Sequence, residues 1–509
     1  MTPREFEIKL DAEPATLRRL NKLPVIRALG KLPKHATEVS VYFDTDKYKL
    51  RGNGFMLRVR RIGKRHVQTI KSSGGNSAPI ERNEWEAEIS SAEPDFNMIS
   101  GTPLERLITK KLRRGLKPMF ETRIHRTIYP LVGDGLTIEL TIDRGKIEAG
   151  DGAVPICELE LELKRGSKER VFEIARRLVH ALPARISLKS KAERGYEFIS
   201  RGTGSPIEAA PVDLRAGSCA RDAFKVIGFA CLKQVIDNVP ALFKGDPEGV
   251  HQMRVGLRRL RAAMSLFGAL LHDDQSAALK TELKWLAGEL TPAREFEVLA
   301  ERVIVPIKHQ RGNLRNGVPS FLKVLAKNHE AALRKATDTV TSARFRALTF
   351  EVAAWLELGL WTKPEDDLVR SRGEVAIDVF AAEQLQRRSR KVCKRGKKLA
   401  QLDAGKRHKL RIQVKTFRYA SEFFGDLFQR KKARKLQKKF SAALKQLQDG
   451  LGDLNDIAVD ERLIATASPP NSAFAAGLLA GHEQARENDA MAAAIEGYAR
   501  LVKVESFWR

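Results

Sequence analysis

Polar and apolar positions alternate with a period of two through most of the first 200 residues. EFEIKL, EVSVYFDT, FMLRVRRI, HVQTIKS, NEWEAEI, ETRIHRTIY, LTIELTID and ICELELELK each place polar residues on one face and apolar or β-branched residues on the other. That is the pattern of β-strands. Turns such as RGNG, SSGGNSAP and VGDG separate them, which predicts antiparallel neighbours. Helical stretches intervene near 14–29, 102–114 and 168–182. Many antiparallel strands with charged faces opposite apolar ones predict a closed barrel with a polar interior.

At 201–213 the segment RGTGSPIEAAPVD breaks the pattern and reads as a linker. From about 214 the period changes to 3.6, as in SCARDAFKVIGFACLKQVIDNV and AALKTELKWLAGEL, so the remainder is predicted all-helical and packed as antiparallel bundles. It carries an internal repeat: HQMRVGLRRLR (251–261) matches HKLRIQVKTFR (408–418), and LTPAREFEV (290–298) matches LGDLNDIAV (451–459). The expected organisation is α+β and multidomain. A barrel over 1–200 and a linker over 201–213 precede a helical domain over 214–509, whose related halves cover about 214–370 and 371–509.

Charge narrows the classes of partner. The formal net charge is +28 and the pI about 10.0, which attracts nucleic acid, an anionic membrane or a phosphate polymer. The excess is spread along the chain: residues 1–200 hold 38 Lys+Arg against 27 Asp+Glu, and the rest 53 against 36. Cys157, Cys219, Cys231 and Cys393 form no CxxC pair, as suits free thiols in a reducing cytosol. MTPREFEIKL has no apolar core and no uninterrupted apolar run reaches about 18 residues. Export and membrane spanning are not expected, and a cytoplasmic protein is.

The charged strand faces carry the candidate chemistry. Glu5, Glu7 and Lys9 share one face; so do Glu158, Glu160 and Glu162, Glu84 and Glu86, and Arg58 and Arg60, while Lys71 and Asp143 end their strands. One such row is an ordinary solvated edge, but several rows of both signs in one domain are not. Carboxylates are the ligands Mg²⁺ and Mn²⁺ prefer, and Arg and Lys neutralise phosphate oxygens. Together they predict a phosphoryl-transfer site inside the barrel.

The order ExExK, YFDT, LRVR, QTIKS, NEWEAE, ELELELK and SKAERGY resembles the CYTH domain of the triphosphate tunnel metalloenzymes over roughly residues 1–200. That resemblance implies an eight-stranded antiparallel tunnel holding one or two Mg²⁺ or Mn²⁺ ions and gripping a triphosphate. It implies Glu5, Glu7, Glu160 and Glu162 as metal ligands with Asp143 and Glu158 next. Lys9, Arg58, Arg60, Lys71, Arg126 and Lys191 are then the phosphate ligands. Lys9 would also hold the transferred phosphate, and Glu84 and Glu86 would orient bases or a water. His125 reads as structural.

On a helix, offsets 0, 3, 7 and 10 fall within an arc of roughly 80° and span about 15 Å. His251, Arg254, Arg258 and Arg261 therefore form one basic stripe, and His408, Arg411, Lys415 and Arg418 its partner. Arg259 and Lys409 fall off the stripes and are expected in solvent. Two facing stripes without regularly spaced aromatics suit a polymer made only of charge better than single-stranded nucleic acid. The His-x2-Arg repeat resembles the CHAD domain, over roughly 214–509. It implies two four-helix bundles that bind inorganic polyphosphate. LTPAREFEV and LGDLND depart from the family's pattern, so Arg294 with Glu295, and Asn455 with Asp456, are read as packing or supporting groups rather than contacts. RKKARKLQKKF (430–440) adds long-range attraction.

The resulting expectation is a Mg²⁺- or Mn²⁺-dependent inorganic triphosphatase with a polyphosphate-binding helical domain. The rivals are a non-catalytic protein that docks on polyphosphate granules or nucleic acid, and an adenylyl cyclase or other organic triphosphatase using the same tunnel.

Overall fold

The computed structural model describes residues 4–29, 32–72, 79–133, 135–304, 318–467 and 473–509. The predicted SSGGNSAP turn falls largely outside them. Two compact units emerge. One contains Met1–Ser205 and Thr341–Thr362, the other Pro206–Val340 and Lys363–Arg509.

The first unit holds the strands β1 (Arg4–Asp11), β2 (Lys34–Asp44), β3 (Phe55–Ile62), β4 (Arg65–Ser72) and β5 (Glu81–Ile89). The long strands β6 (Lys117–Gly133), β7 (Leu136–Ala149) and β8 (Gly152–Arg165) follow, with short β9 (Arg185–Ser187). Their order is β5-β4-β3-β2-β6-β7-β8-β1-β9, and an added β5–β1 pairing closes the first eight into a barrel. Every pairing is antiparallel. β1 pairs with β8 over Glu7–Asp11, while Arg4–Phe6 pair with β5 and Lys9–Asp11 with β9.

Because side chains alternate along a strand, each strand buries two faces of different character. The outer face is apolar. Phe43, Leu57, Val59 and Ile70 pack with Leu104 and Leu112 from the turns outside β5. Phe6, Ile8 and Leu10 are buried as well, and Phe6 meets Phe172 of the helix Lys168–Ala181 edge to face at 6.1 Å. The predicted 14–29 helix is three short pieces, Pro14–Leu17, Leu20–Lys22 and Pro24–Leu29. Pro24 has no N–H and disfavours helical backbone in the residue before it, so it can only start a helix. Similarly, 102–114 divides into Pro103–Leu107 and Lys110–Gly115.

One helix of this unit comes from far down the sequence. Ala343–Leu358 buries Phe345, Phe350 and Trp355. Phe350 lies 5.8 Å from Phe172. Arg176 forms a two-pronged pair with Glu351 at 2.6 and 2.9 Å. Lys168 joins Glu81 of β5 (3.0 Å) to Glu357 (2.9 Å), and Glu357 is only 6% exposed.

The second unit is helical, with the two halves that the repeat predicts. The main helices are Ala220–Asp237, Pro247–Leu266, Asp274–Leu299 and Val318–Thr341, then Ile377–Gly396, Ala404–Phe424, Lys431–Ala467, Ala473–Ala485 and Glu487–Lys503. The halves share a core in which Leu299, Phe321 and Leu325 meet Ile464 and Leu479. Among the described residues, one stretch, Ala220–Phe243, is long and apolar enough to cross a membrane by length and composition, with mean hydropathy 1.4. It is 67% buried as a core element of this unit.

Phe350→Ala removes a fully buried ring and is expected to cost about 3–5 kcal/mol. Urea denaturation of the full chain checks this, with loss of barrel strand signal at lower denaturant as the expected result.

Candidate functional site

The inward face of every barrel strand carries charge. Cross-strand register places Glu7 opposite Glu162, Lys9 opposite Glu160 and Asp11 opposite Glu158 on β1 and β8. On the next pair, Asp143 stands opposite Glu158 and Thr141 opposite Glu160, while Arg126 of β6 stands opposite Asp143. Register therefore sets acid beside acid at Glu7/Glu162, Asp11/Glu158 and Asp143/Glu158, pairs that need counter-ions, and base beside acid at Lys9/Glu160 and Arg126/Asp143.

Basic side chains fill those gaps. Lys9 reaches Glu160 at 2.5 Å and also pairs with Glu7. Lys71 reaches Glu5 at 2.5 Å and Glu84 at 3.0 Å. Arg126 clasps Asp143 at 2.8 and 2.6 Å and touches Glu160 at 3.0 Å. Lys191 lies 2.7 Å from Asp143, 2.5 Å from Glu158 and 2.8 Å from Glu160. Arg58 and Arg60 are looser: Arg58 is 3.6 Å from Glu84 and 3.8 Å from Glu86, and Arg60 is 3.6 Å from Glu38 and 3.8 Å from Glu86. The Nε atoms of both arginines are buried and have no acceptor. Glu86 sits in a more open position, hydrogen-bonded by Thr69 at 2.9 Å. Glu162 pairs with Lys164.

Burial sets the protonation of this array. It raises Glu7, helped by Glu160, and raises Glu158. Burial also pushes the Glu162 carboxyl up to about 7. Glu160 goes the other way: burial opposes its charge, but Lys191, Lys9 and Arg126 surround it and hold it well below the usual range. Lys9 and Lys191 are held above the normal ammonium value by their carboxylates, against the effect of burial.

One group of donors suits a hard cation. Asp143, Glu158 and Glu160 are all buried and offer oxygens within 4.8 Å of one another. Neither Glu158 oxygen has an aligned hydrogen-bond donor, although the Lys191 and Arg194 charges lie 2.5 and 2.9 Å away. An all-oxygen set with buried, unsatisfied atoms fits Mg²⁺ or Mn²⁺. The Lys191 ammonium at its centre stands in for the positive charge such an ion would bring.

The helix Lys191–Arg201 delivers Lys191 and Arg194 to the lumen. Its start is fixed by a capping box in which Ser190 accepts from Glu193 N–H at 3.1 Å and Glu193 accepts from Ser190 N–H at 2.8 Å. Gly195 lets it approach β6, because a Cβ there would lie 2.1 Å from the Phe120 ring. Tyr196 donates its hydroxyl to Asp44 at 3.0 Å. Asp44 also accepts from the N–H groups of Thr45, Leu50 and Arg51, which explains the aspartate of YFDT as a cap for the turn after β2.

Arg126 is inside the barrel, whereas Arg123 is exposed and paired with Glu121 and Glu148. His125 is exposed on the outer surface, 3.3 Å from Thr37. Three lumen groups escaped the sequence reading: Glu38, Asp11 and Arg194, the last of which pairs with Glu158 and Asp11. Glu38 shares the face of Ser40 and Tyr42, a lone acid rather than a row, so the strand period was its only signal.

In the helical unit, the 247–266 and 404–424 helices bring the two stripes together. His251, Arg254 and Arg258 from one act on Lys415 and Arg411 of the other. Burial, then Arg411 and Arg258, push Lys415 down to about 6, and burial with Arg294 and the neighbouring arginines pushes His251 to about 4. Arg254 donates to Ala287 O at 3.2 Å and to the Thr291 hydroxyl. Arg411 has Asp456 at 3.6 Å, His408 meets Asn455 at 3.0 Å, and Arg418 meets Glu422 at 3.4 Å. Among the described residues, His251, Arg258 and Lys415 have no hydrogen-bond or ion-pair partner. Arg294 pairs with Glu297, Glu295 with Arg462, and Asp456 with Arg302.

Two stripe assignments change. Arg259, expected in solvent, is 4% exposed, donates to Gln234 at 2.8 Å and lies over the Phe423 ring. A guanidinium can enter an apolar face when an amide and an aromatic ring receive it. Arg261 is exposed and lines a cleft that His251, Arg254 and Arg258 do not line.

The CYTH domain model matches residues 3–196 and the CHAD domain model residues 227–465. An inorganic triphosphatase from Haemophilus influenzae is 30% identical over 160 residues, which is 31% of this chain and 44% of that protein. The chain thus spans less than half the length of that relative. The crystal structure of a CHAD domain from the plant Ricinus communis aligns with a TM-score of 0.51 at 29% identity, covering 59% of this chain and 98% of that one. A Hippeastrum protein described as having a dominant triphosphatase activity aligns at 20% identity and TM-score 0.30, over 38% of this chain and 95% of that one.

Gly195→Ala is expected to destabilise the barrel unit by about 1–3 kcal/mol through overpacking on Phe120, and Ser190→Ala by about 1 kcal/mol through loss of the cap. Urea denaturation of each variant measures both.

Proposed function

Since the chain joins a CYTH domain to a CHAD domain, we propose that the barrel hydrolyses inorganic triphosphate and that the helical unit binds inorganic polyphosphate. The observation that carries this reading is the barrel interior, where buried carboxylates and buried guanidinium and ammonium groups face one another across a single lumen.

The buried acids Asp143, Glu158 and Glu160, with Glu5, Glu7 and Glu162 along the same rows, would hold Mg²⁺ or Mn²⁺, which supplies positive charge to the phosphate chain. Arg58 and Arg60 have orphaned Nε atoms and only long ion pairs, although Arg58 also hydrogen-bonds Tyr42. They receive phosphate oxygens at the least cost in broken contacts, and their charge is insensitive to pH. Lys71, Arg126 and Lys191 exchange a carboxylate partner for phosphate or keep the acids in register. Lys9, held charged by Glu160 and Glu7, neutralises the phosphate being transferred. Water adds in line to the terminal phosphorus, the bridging anhydride bond breaks, and diphosphate leaves with that bond's electron pair while the water's protons pass to solvent. Glu84 and Glu86 set the Arg58 guanidinium at the entrance to this row.

In the helical unit, His251, Arg258 and Lys415 are un-neutralised and packed together. Burial among arginines holds Lys415 and His251 toward their neutral forms until an anion enters and restores their charge, and the cluster carries no base-stacking ladder. An inorganic polyphosphate suits it better than nucleic acid.

Glu7→Gln is expected to abolish metal-dependent phosphate release from triphosphate, and undiminished release would refute the site. A panel of triphosphate, long-chain polyphosphate, ATP and thiamine triphosphate ranks the substrates, with inorganic triphosphate expected fastest.

Polyphosphate affinity should also depend on pH with a fixed sign. Free Lys415 has been pushed down to about 6, and bound phosphate raises it, so binding takes up a proton above that value. Affinity therefore rises as pH falls from neutral toward 6. Lys415→Met should flatten the profile in titrations between neutral pH and pH 6; a flat wild-type profile would overturn the assignment.

A further inference from the structure

A cleft of about 740 Å³ opens in the helical unit, lined from three helices and a loop. Arg261 comes from the 247–266 helix, Lys280 and Lys284 from 274–299, Arg387 from 377–396, and His272 from the loop between the first two. Lys280 and Lys284 are one turn apart and so share a helix face. No carboxylate is among the lining residues. Arg261, Lys280, Lys284 and Arg387 have no ion-pair partner among the described residues, whereas Arg388 next door is tied to Gln384 at 2.7 Å and to Ser265 O at 3.2 Å. The remainder of the lining is different in kind: Met264, Leu266, Ala269 and Leu271 give it an apolar floor.

We propose that this cleft is a second anion site, separate from both the tunnel and the paired stripes, for a small phosphorylated organic molecule of the size of a nucleoside triphosphate. Three observations combine to favour that class. The volume lies within the range of about 300–1,000 Å³ usual for small-molecule sites. Four permanent cations from three different helices converge without a protein acid to answer them, which demands several negative charges in one ligand. The apolar floor has nothing to meet in a purely inorganic chain, whereas a nucleoside places its base or sugar there, with the Arg387 guanidinium able to lie over a flat ring. The site accounts for Arg261, the residue of the first stripe that does not line up with the others. It does not rest on the proposed hydrolysis.

The test uses the full chain with ATP as probe. Photolabelling with 8-azido-ATP, followed by peptide mapping, should mark peptides from 261–287 or 384–387 in addition to any barrel peptide. The double variant Lys284→Glu/Arg387→Glu changes two exposed side chains, so its melting temperature and its triphosphate hydrolysis should match the wild type. It should lose the helical-unit label and weaken the corresponding calorimetric binding event by about tenfold or more. Label confined to the barrel, or ATP binding unchanged in the double variant, overturns the proposal. Protection of the helical-unit label by inorganic triphosphate as effective as by ATP overturns the organic part of it.

Discussion

Charge buried inside the barrel is what the rest of the structure has to satisfy. A carboxylate removed from water is tolerated only if cations replace its hydration. Here each row of acids on one strand is answered by Lys or Arg from a neighbour: Lys9 between Glu7 and Glu160, Lys71 between Glu5 and Glu84, Lys191 among Asp143, Glu158 and Glu160. The outer structure follows from that requirement. The apolar face of each strand is covered by helices and turns, and the capped 191–201 helix has to approach β6 closely enough for two of its basic residues to enter the lumen.

The helical unit treats charge in the opposite way. Some of its surface cations are offset by acids one turn away on the same helix. In its paired stripes Arg411 and Arg418 have Asp456 and Glu422 beside them, but burial and the neighbouring arginines depress Lys415 and His251. One unit thus carries its counter-ions within itself, and the other leaves places for counter-ions to arrive. If the proposed anions bind, the tunnel would have to release internal pairs to admit one, whereas the groove would gain charge from its arrival.

Much of this was legible in the sequence because its signals are periodic. Alternation placed Glu5, Glu7, Arg58, Arg60, Glu158 and Glu160 on inward faces, and the eight strands appear where the pattern put them. The duplicated His-x2-Arg spacing predicted two stripes that do meet. What periodicity missed were residues whose role depends on a single contact. Glu38 is a lone acid on its strand, Arg194 reaches the lumen from a helix, and Arg259 is buried because Gln234 and Phe423 happen to receive it. Arg261 kept the period but ends in a different cleft. The 343–358 helix is equally invisible: nothing in its sequence sets it apart from the helical half around it, and only tertiary packing assigns it to the barrel's outer layer.

That returning helix has a bearing on the order in which the molecule can be made. A chain emerging from the ribosome folds its N-terminal portion first when that portion is self-sufficient. Here the last piece of the barrel unit, Thr341–Thr362, is synthesised after Pro206–Val340. Until then the parts of Phe172, Lys168 and Arg176 that meet Phe350, Glu357 and Glu351 stay open. The strands can pair early, but the first unit becomes whole only once a large part of the second has already left the exit tunnel, so the biogenesis of the two is interleaved rather than sequential.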